Sequence, residues 1–153
     1  MEESIRAGVL RCIDTHVKTI DACIEPTAQA AQMLIDALRG GHTVYLCGNG
    51  GSAADCQHMA AELVGRFRLD RKALPAVALT TDSSVLTSLA NDWDFEEVFA
   101  RQVSALVRPG DCLVAISTSG NSVNVQKAAA EARKRGAKVI ALTGQGGGQL
   151  RHL

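Results

Sequence analysis

The chain of 153 residues carries 16 Lys and Arg against 16 Asp and Glu, and 3% of its residues are aromatic. This balance gives no basic field and few stacking rings, which argues against nucleic-acid binding, and no apolar run reaches the length of a membrane span. With 46% hydrophobic residues the chain is too apolar for disorder, and we expect a single domain over residues 1–153.

The N-terminus and the cysteines indicate a cytoplasmic protein. The sequence begins Met-Glu-Glu and lacks the basic region of a secretory signal. Its five cysteines form no CxxC pair, which predicts buried free thiols in a reducing compartment.

The first 40 residues have the pattern of helices. Isoleucine or valine recurs at steps of three and four over residues 4–24, which predicts a long amphipathic helix. Pro26 is expected to begin a second helix, and the Gly40-Gly41 pair to end it. Because the apolar stripe of the first helix is narrow, we expect it to pack on a partner chain. N-terminal helices therefore occupy residues 1–40, and an α/β core occupies 41–153.

The core alternates strands and helices. Short apolar runs without clean alternation, typical of strands buried on both faces, lie at 43–47, 76–79, 112–117 and 138–143. Helices are predicted between them at 52–66, 84–90, 95–107 and 121–135. This order predicts a parallel sheet with helices on both faces, joined by right-handed crossovers. Ligands of such sheets bind at the carboxyl ends of the strands, where the polar loops GNGGS, TTDSS and STSGNS lie.

The STSGNS loop predicts a phosphate site. Ser117, Thr118, Ser119 and Ser122 offer hydroxyl donors beside the unpaired N–H groups of a helix that starts near Asn121. The alternative is an ordinary helix N-cap, for which a single serine or asparagine is enough. Four hydroxyls in six residues exceed that need and favour phosphate.

The GNGGS loop predicts close approach of the backbone to a small ligand. Gly48, Gly50 and Ala53 fit a loose form of the dinucleotide-binding fingerprint. In that fold an acidic residue follows about 20 positions later, whereas Asp82, the acidic residue after the second strand, lies more than thirty positions from Gly48. A nucleotide site is therefore the weaker alternative to a sugar-phosphate site that uses Asn49 and Ser52.

His58 and Glu62 lie four residues apart on the next helix and so share one of its faces. An imidazole and a carboxylate so placed can supply two zinc ligands or transfer a proton. The spacing alone would also suit a simple surface pair, but the helix begins at the candidate ligand loop. The Asn91-Asp92 pair is a further candidate for ligand contact. It is equally consistent with a turn and an N-cap for the helix from Phe95.

Four segments carry a family resemblance: CGNGGSAADCQHMAAELVGRF, ALTTDSSVLTSLANDWDFEEVFARQV, RPGDCLVAISTSGNSVNV and VIALTGQGGG. In this order they closely resemble the phosphoheptose isomerases, enzymes with a sugar-isomerase (SIS) domain. These convert sedoheptulose 7-phosphate to D-glycero-D-manno-heptose 7-phosphate in bacterial synthesis of lipopolysaccharide and other surface glycans.

The resemblance implies a flavodoxin-like three-layer α/β/α fold, a cytoplasmic homotetramer and active sites built from more than one subunit. It implies that His58 and Glu62 are two ligands of one zinc ion per subunit, with Glu62 also moving the proton between C1 and C2. The substrate contacts that it implies are Asn49, Gly50, Gly51, Ser52, Glu62, Asn91, Asp92, Ser117, Thr118, Ser119 and Ser122.

The sequence departs from the family after Leu153, where family members continue through a strand into a final helix. That helix carries the family's remaining zinc ligands and a second proton-transfer histidine, roles that are not transferred to Gln149 or His152. From this departure we expect an incomplete metal site. A functional alternative from another class is a non-catalytic SIS-domain regulator that binds the replication initiator or senses a sugar phosphate.

Overall fold

The computed structural model describes residues 1–144 and 146–153, so Gln145 of the glycine-rich VIALTGQGGG segment lies outside the described residues. The chain forms two compact units, Met1–Met33 and Leu34–Leu153. The elements in chain order are α1 (Glu2–Arg39), β1 (Val44–Gly48), α2 (Gly51–Val64), β2 (Ala76–Ala78), α3 (Ser83–Asp92), a 3-10 turn (Phe95–Glu97), α4 (Ala100–Leu106), β3 (Cys112–Ser117), α5 (Val123–Lys134), β4 (Lys138–Thr143) and a second 3-10 turn (Gly148–His152).

Helix α1 is continuous, and Pro26 lies inside it. The prediction of two helices separated at Pro26 is therefore wrong. A proline within a helix costs about 3 kcal/mol, but the alanine-rich turn that follows, with Ala28, Ala30 and Ala31, has high helix propensity and continues the helix. The apolar stripe of the first unit is exposed, and its six β-branched residues each show 54 to 61% of their surface: Ile5, Val9, Ile13, Val17, Ile20 and Ile24.

The predicted parallel sheet is confirmed. Its four strands run in the order β2-β1-β3-β4, and every neighbouring pair is parallel. This is the flavodoxin-like order. From β1 the chain adds β2 on one side of the sheet, and it then adds β3 and β4 on the other side, so the order reverses between β1 and β3. The strands at 112–117 and 138–143 have the predicted bounds, whereas β1 is shifted by one residue toward the C-terminus and β2 ends one residue earlier than predicted.

The two central strands are buried along their whole length. Tyr45, Cys47, Leu113 and Ala115 face a cluster that includes apolar residues of α4 and α5. Because successive strand residues point to opposite faces, the other buried residues of β1 and β3 face α2, which contacts β1 and contributes Cys56 and Ala60 to the core. Helices therefore cover both faces of the sheet, as predicted.

The helix predicted over 95–107 is interrupted. Asp94 accepts a hydrogen bond from the backbone N–H of Glu96 at 2.9 Å, and its carbonyl accepts from Glu97 N at 3.0 Å, which closes a tight 3-10 turn before α4 begins. The cap at this turn is Asp94 and not the Asn91-Asp92 pair, which forms the last turn of α3. No helix in the described part of the chain is long and apolar enough to cross a membrane.

All five cysteines are free thiols. Cys47, Cys56 and Cys112 are buried, as predicted, but the prediction of burial is wrong for Cys12 and Cys23, which are exposed on α1. Burial raises the pKa of Cys47, and it raises the pKa of Cys56 and of Cys112 to about 11. The buried thiols are therefore protonated near neutral pH and are poor nucleophiles.

Candidate active site

The loops after β1 and β3 meet where the strand order reverses. Gly48, the last residue of β1, pairs with Ile116 of β3, so the chain leaves both strands at the same height. Helix α2 begins three residues after Gly48, and α5 begins six residues after Ser117. Two helix N-termini thus face one crevice at the carboxyl edge of the sheet, and each carries about half a positive charge from its aligned peptide dipoles.

The serines of the STSGNS loop are connected within the loop. Ser117 is 3% exposed, and its hydroxyl donates to the hydroxyl of Ser122 at 3.0 Å. The Ser119 hydroxyl accepts from the backbone N–H of Asn121 at 3.1 Å. Thr118 and Ser119 are exposed and Ser122 is half-buried, so their hydroxyls are open to a ligand.

Ser122 occupies the N-cap position of α5, but its side chain makes no capping hydrogen bond. The N–H that an N-cap serine hydroxyl usually takes is that of Val125, which here donates to the side-chain oxygen of Asn124 at 2.9 Å and to the backbone carbonyl of Ser122 at 3.1 Å. Capping therefore does not occupy the Ser122 hydroxyl. The loop contains neither Lys nor Arg, so an anion bound here would be held by neutral donors and the helix dipole.

A glycine-rich loop after β4 packs directly on the STSGNS loop. Gly144 donates its N–H to the carbonyl of Thr118 at 2.9 Å, and Leu150 donates to the carbonyl of Gly120 at 3.0 Å. Gly120 has a φ of 68°, and a Cβ there would overlap the carbonyl group of Gly147. The left-handed backbone and the close approach of the two loops both require glycine at this position.

Asn49 joins the first loop to α5. Its side-chain amide exchanges two hydrogen bonds with the amide of Asn124, both 2.9 Å long. Gly50 and Gly51 are exposed, and Gly50 has a φ of 55° with open space around it. Ser52 is half-buried in the first turn of α2, close to Gly48, where a Cβ would come within 2.9 Å of the Ser52 Cβ.

His58 and Glu62 lie on one face of α2, with His58 Nε2 3.8 Å from Glu62 Oε1. The side chain of His58 is 73% exposed and that of Glu62 is 32% exposed. His58 comes seven residues after the first residue of α2, or about 10 Å along the axis at 1.5 Å per residue. The pair therefore lies about two to three helical turns beyond the GNGGS loop from which α2 starts.

The predicted zinc ion needs more ligands than this pair provides. A catalytic zinc centre has three protein ligands, and His58 with Glu62 supplies two. Within residues 1–144 and 146–153, no group of three or more His, Cys, Asp or Glu side chains is placed to hold a metal ion. The pair alone therefore does not make a zinc centre.

Asn91 and Asp92 lie at the exposed C-terminal end of α3, where the Asn91 amide donates to the Asp92 carboxylate at 2.9 Å. Helix α3 starts just beyond β2 and is ten residues, or about 15 Å, long. Among the residues that the structure describes, no hydrogen bond joins Asn91 or Asp92 to the STSGNS or GNGGS loop, and both residues lie at the end of α3 that is remote from β2. Within one chain, the structure therefore does not connect these two predicted residues with the others.

Two residues that support the site are missing from the sequence predictions. Asn124, already described, is 4% exposed. Arg71 donates to the carbonyls of Glu62 at 2.7 Å, Leu63 at 2.8 Å and Gly65 at 3.3 Å, and so caps the end of α2 that carries Glu62. An asparagine just inside a helix start and an arginine shortly after a helix end are the signals that point to such roles.

An apolar cleft of the core unit lies elsewhere. It encloses about 560 Å³ between β2, α3 and α4 and includes none of the predicted site residues. Its lining is mostly apolar, with Val77, Val85, Leu89 and Leu106 among its residues. The candidate active site therefore rests on the chemistry of its loops and not on the size of the cleft.

Comparison with known proteins identifies the family. A family model described as the SIS domain matches residues 11–144. The phosphoheptose isomerase of Rhodospirillum rubrum is 53% identical over 150 residues, which cover 98% of this chain and 79% of that protein. That of Aromatoleum aromaticum is 56% identical over 134 residues, covering 88% of this chain and 68% of that protein.

A solved structure agrees with these relatives. The phosphoheptose isomerase of Neisseria gonorrhoeae matches with a TM-score of 0.94 and 46% identity, over 99% of this chain and 79% of that one. The fold, the loops and the relatives give the same assignment. The chain belongs to the phosphoheptose isomerases of the SIS-domain family.

Proposed function

We propose that the protein is an aldose–ketose isomerase that converts sedoheptulose 7-phosphate to D-glycero-D-manno-heptose 7-phosphate. The observation that carries this proposal is the crevice between β1 and β3, where two helix N-termini meet the open hydroxyls of the STSGNS loop. Such a crevice suits the phosphate of a small sugar. The family membership of the chain supports the same substrate class.

In this proposal Thr118, Ser119 and Ser122 hold the phosphate, and Asn49, Gly50, Gly51 and Ser52 contact the sugar with the support of buried Ser117. Asn91 and Asp92 are proposed as substrate contacts through a second subunit, since they lie apart from the loops within one chain. Neutral donors let the site bind the phosphate dianion without a fixed cation. The sugar then extends along α2 toward His58 and Glu62.

The proposed reaction moves a proton between C1 and C2. Glu62 removes a proton from C1 of the ketose, the C–H electrons form the C1–C2 double bond, and the C2 carbonyl oxygen becomes an enediolate oxygen. Return of a proton to C2, protonation of O2 and loss of the O1 proton give the aldehyde at C1. The Glu62 carboxylate is partly exposed, as a base that must reach a substrate requires.

We also propose that His58 and Glu62 are two ligands of a zinc ion, with the other ligands supplied from outside the described residues of this chain. The 3.8 Å separation of the two side chains on one helix face supports this proposal. Purified wild-type protein should then contain more zinc by mass spectrometry than the His58→Ala variant. Equal zinc contents would contradict it.

The non-catalytic regulator is not favoured. The curated relatives that match nearly the whole chain are phosphoheptose isomerases, and both His58 and Glu62 are present. A regulator that only binds a sugar phosphate would need neither side chain.

A homotetramer in the cytoplasm, acting in the synthesis of lipopolysaccharide or another surface glycan, completes the proposal. The exposed apolar stripe of α1 supports self-association, because monomeric proteins rarely leave such a surface open. Replacing Ile13 and Val17 with Asp should reduce the particle mass measured by light scattering. An unchanged mass would argue against this stripe as the interface.

The test of the catalytic proposal is the rate of sedoheptulose 7-phosphate isomerisation, followed by NMR. Glu62→Gln preserves the size of the side chain but removes the base, so kcat should fall by roughly 100-fold or more. Glu131→Gln, which changes a carboxylate on α5 outside the site, should keep the wild-type rate. Equal rates for wild type and Glu62→Gln would remove Glu62 from the proposed mechanism.

A further inference from the structure

Asn124 is a buried amide between the two ligand loops, and the predicted site does not include it. It is 4% exposed and lies in the first turn of α5, next to Ser122. Its side chain donates to Asn49 Oδ1 and accepts from both Asn49 Nδ2 and Val125 N, each at 2.9 Å. A buried amide with three such bonds is fixed in orientation.

The same bonds fix the orientation of Asn49. The N–H of Val125 can only donate, so the side-chain atom of Asn124 that it contacts must be the oxygen. The nitrogen of Asn124 therefore faces the oxygen of Asn49, and the nitrogen of Asn49 faces the oxygen of Asn124. Each amide nitrogen carries two hydrogens, so Asn49 keeps one N–H for a ligand in the crevice.

Asn124 accepts part of the hydrogen bonding at the start of α5. The Val125 N–H donates both to the Asn124 oxygen and to the Ser122 carbonyl, and the Ser122 hydroxyl makes no capping bond and accepts from Ser117. One buried side chain thus connects a sugar-contacting residue of the first loop to the start of the helix that follows the phosphate loop.

We propose that Asn124 is a positioning residue of the isomerase, which holds the Asn49 amide in the orientation that binds the sugar. This inference rests on the proposed function of the site. If Asn124 acts through Asn49, removing Asn124 should have no further effect once Asn49 is gone.

A double-mutant cycle on kcat/KM for sedoheptulose 7-phosphate tests this point. Asn49→Ala and Asn124→Ala should each lower kcat/KM by about 10- to 100-fold, the value of one or two lost hydrogen bonds. The double variant should match Asn49→Ala within about twofold, the spread expected of independent measurements. The proposal would be overturned if the fold losses of kcat/KM in the two single variants multiplied in the double variant. It would also be overturned if Asn124→Ala kept the wild-type kcat/KM.

A matched control separates positioning from stability. Gln102 is another buried amide, 9% exposed, whose side chain donates to the carbonyls of Leu79 and Val98. Gln102→Ala should lower the melting temperature as Asn124→Ala does, but it should leave kcat/KM close to the wild-type value. An equal loss of kcat/KM in the control would mean that reduced stability explains the effect of Asn124→Ala.

The two proposals fail in different ways. If the wild-type protein does not isomerise the sugar, the proposed function fails. The cycle is then repeated on the affinity for sedoheptulose 7-phosphate measured by calorimetry, where multiplicative losses would overturn the role of Asn124 separately. In either case the side-chain amide resonance of Asn49, assigned by its absence in Asn49→Ala, should shift in Asn124→Ala, and an unchanged resonance would contradict the contact.

Discussion

Substitution of Gly120 by alanine tests how the STSGNS loop, the proposed phosphate site, is built. Gly120 has a φ of 68°, and an alanine in this left-handed region costs roughly 1–2 kcal/mol. Its Cβ would also overlap the Gly147 carbonyl, so the glycine-rich loop must move. That movement would break the bonds from Leu150 N to the Gly120 carbonyl and from Gln149 N to Asn121 Oδ1. At about 0.5–1.5 kcal/mol for each bond, the total loss of stability is about 2 to 5 kcal/mol.

Gly41 provides the matched control. It has a φ of 78° in the turn before β1, and an added Cβ would meet nothing within 4 Å. Gly41→Ala therefore incurs the backbone cost of about 1–2 kcal/mol without the overlap. Urea denaturation should show a clearly larger loss for Gly120→Ala, together with a higher KM for the sugar phosphate. Equal losses of stability in the two variants, with an unchanged KM, would refute the argument that the two loops support each other.

Three further outcomes follow from the contacts of the site and the core. Ser122→Ala should raise KM for sedoheptulose 7-phosphate by about 10- to 100-fold, which is the value of a hydrogen bond to a charged group. The same variant should leave turnover of unphosphorylated sedoheptulose unchanged. Similar effects on both sugars would contradict a phosphate contact. Arg71→Ala should lower the free energy of unfolding by about 1 kcal/mol because the carbonyls at the end of α2 lose their donors. Arg68→Ala, at an exposed position nearby, should leave this free energy unchanged. Equal free energies of unfolding in the two variants would argue against the cap. Burial raises the pKa of Cys56 and of Cys112 to about 11, so the folded protein keeps these two protons at a pH where the unfolded chain loses them. The stabilisation from the two protonated thiols is therefore complete below the ordinary thiol pKa and is lost as the pH rises toward 11. The urea midpoint of the wild-type protein should therefore decrease as the pH is raised from 9 to 11, and the midpoint of Cys56→Ala should decrease less steeply. An equal dependence of the midpoint on pH in the two proteins would contradict this account.

The sequence predicts the α/β core well because its signals are local. The strands at 112–117 and 138–143 are continuous apolar runs between polar loops, and the structure has the same bounds. Pro26 misleads because proline is read as a helix start, while the propensity of the surrounding turns decides the outcome. The 3-10 turn after Asp94 depends on one side-chain hydrogen bond, which apolar periodicity does not reveal.

The site is only partly readable from sequence. Two groups of site residues each lie within a short stretch of sequence, so their spacing alone makes them candidates. These groups are the hydroxyl residues of 117–122 and the pair His58 and Glu62. Asn124 contacts Asn49 across 75 residues, and Arg71 reaches back to α2 from an exposed loop. Such contacts arise only when the sheet brings distant segments together, and the sequence pattern has no signal for which pairs will meet.

A crystal structure of the protein with sedoheptulose 7-phosphate tests the central claim most directly. The account predicts phosphate oxygens at hydrogen-bond distance, about 3 Å, from the hydroxyls of Ser119 and Ser122, with C1 and C2 of the sugar beside the carboxylate of Glu62. A phosphate bound away from the start of α5, or a sugar whose C1 and C2 lie far from any Glu62 carboxylate, would contradict it.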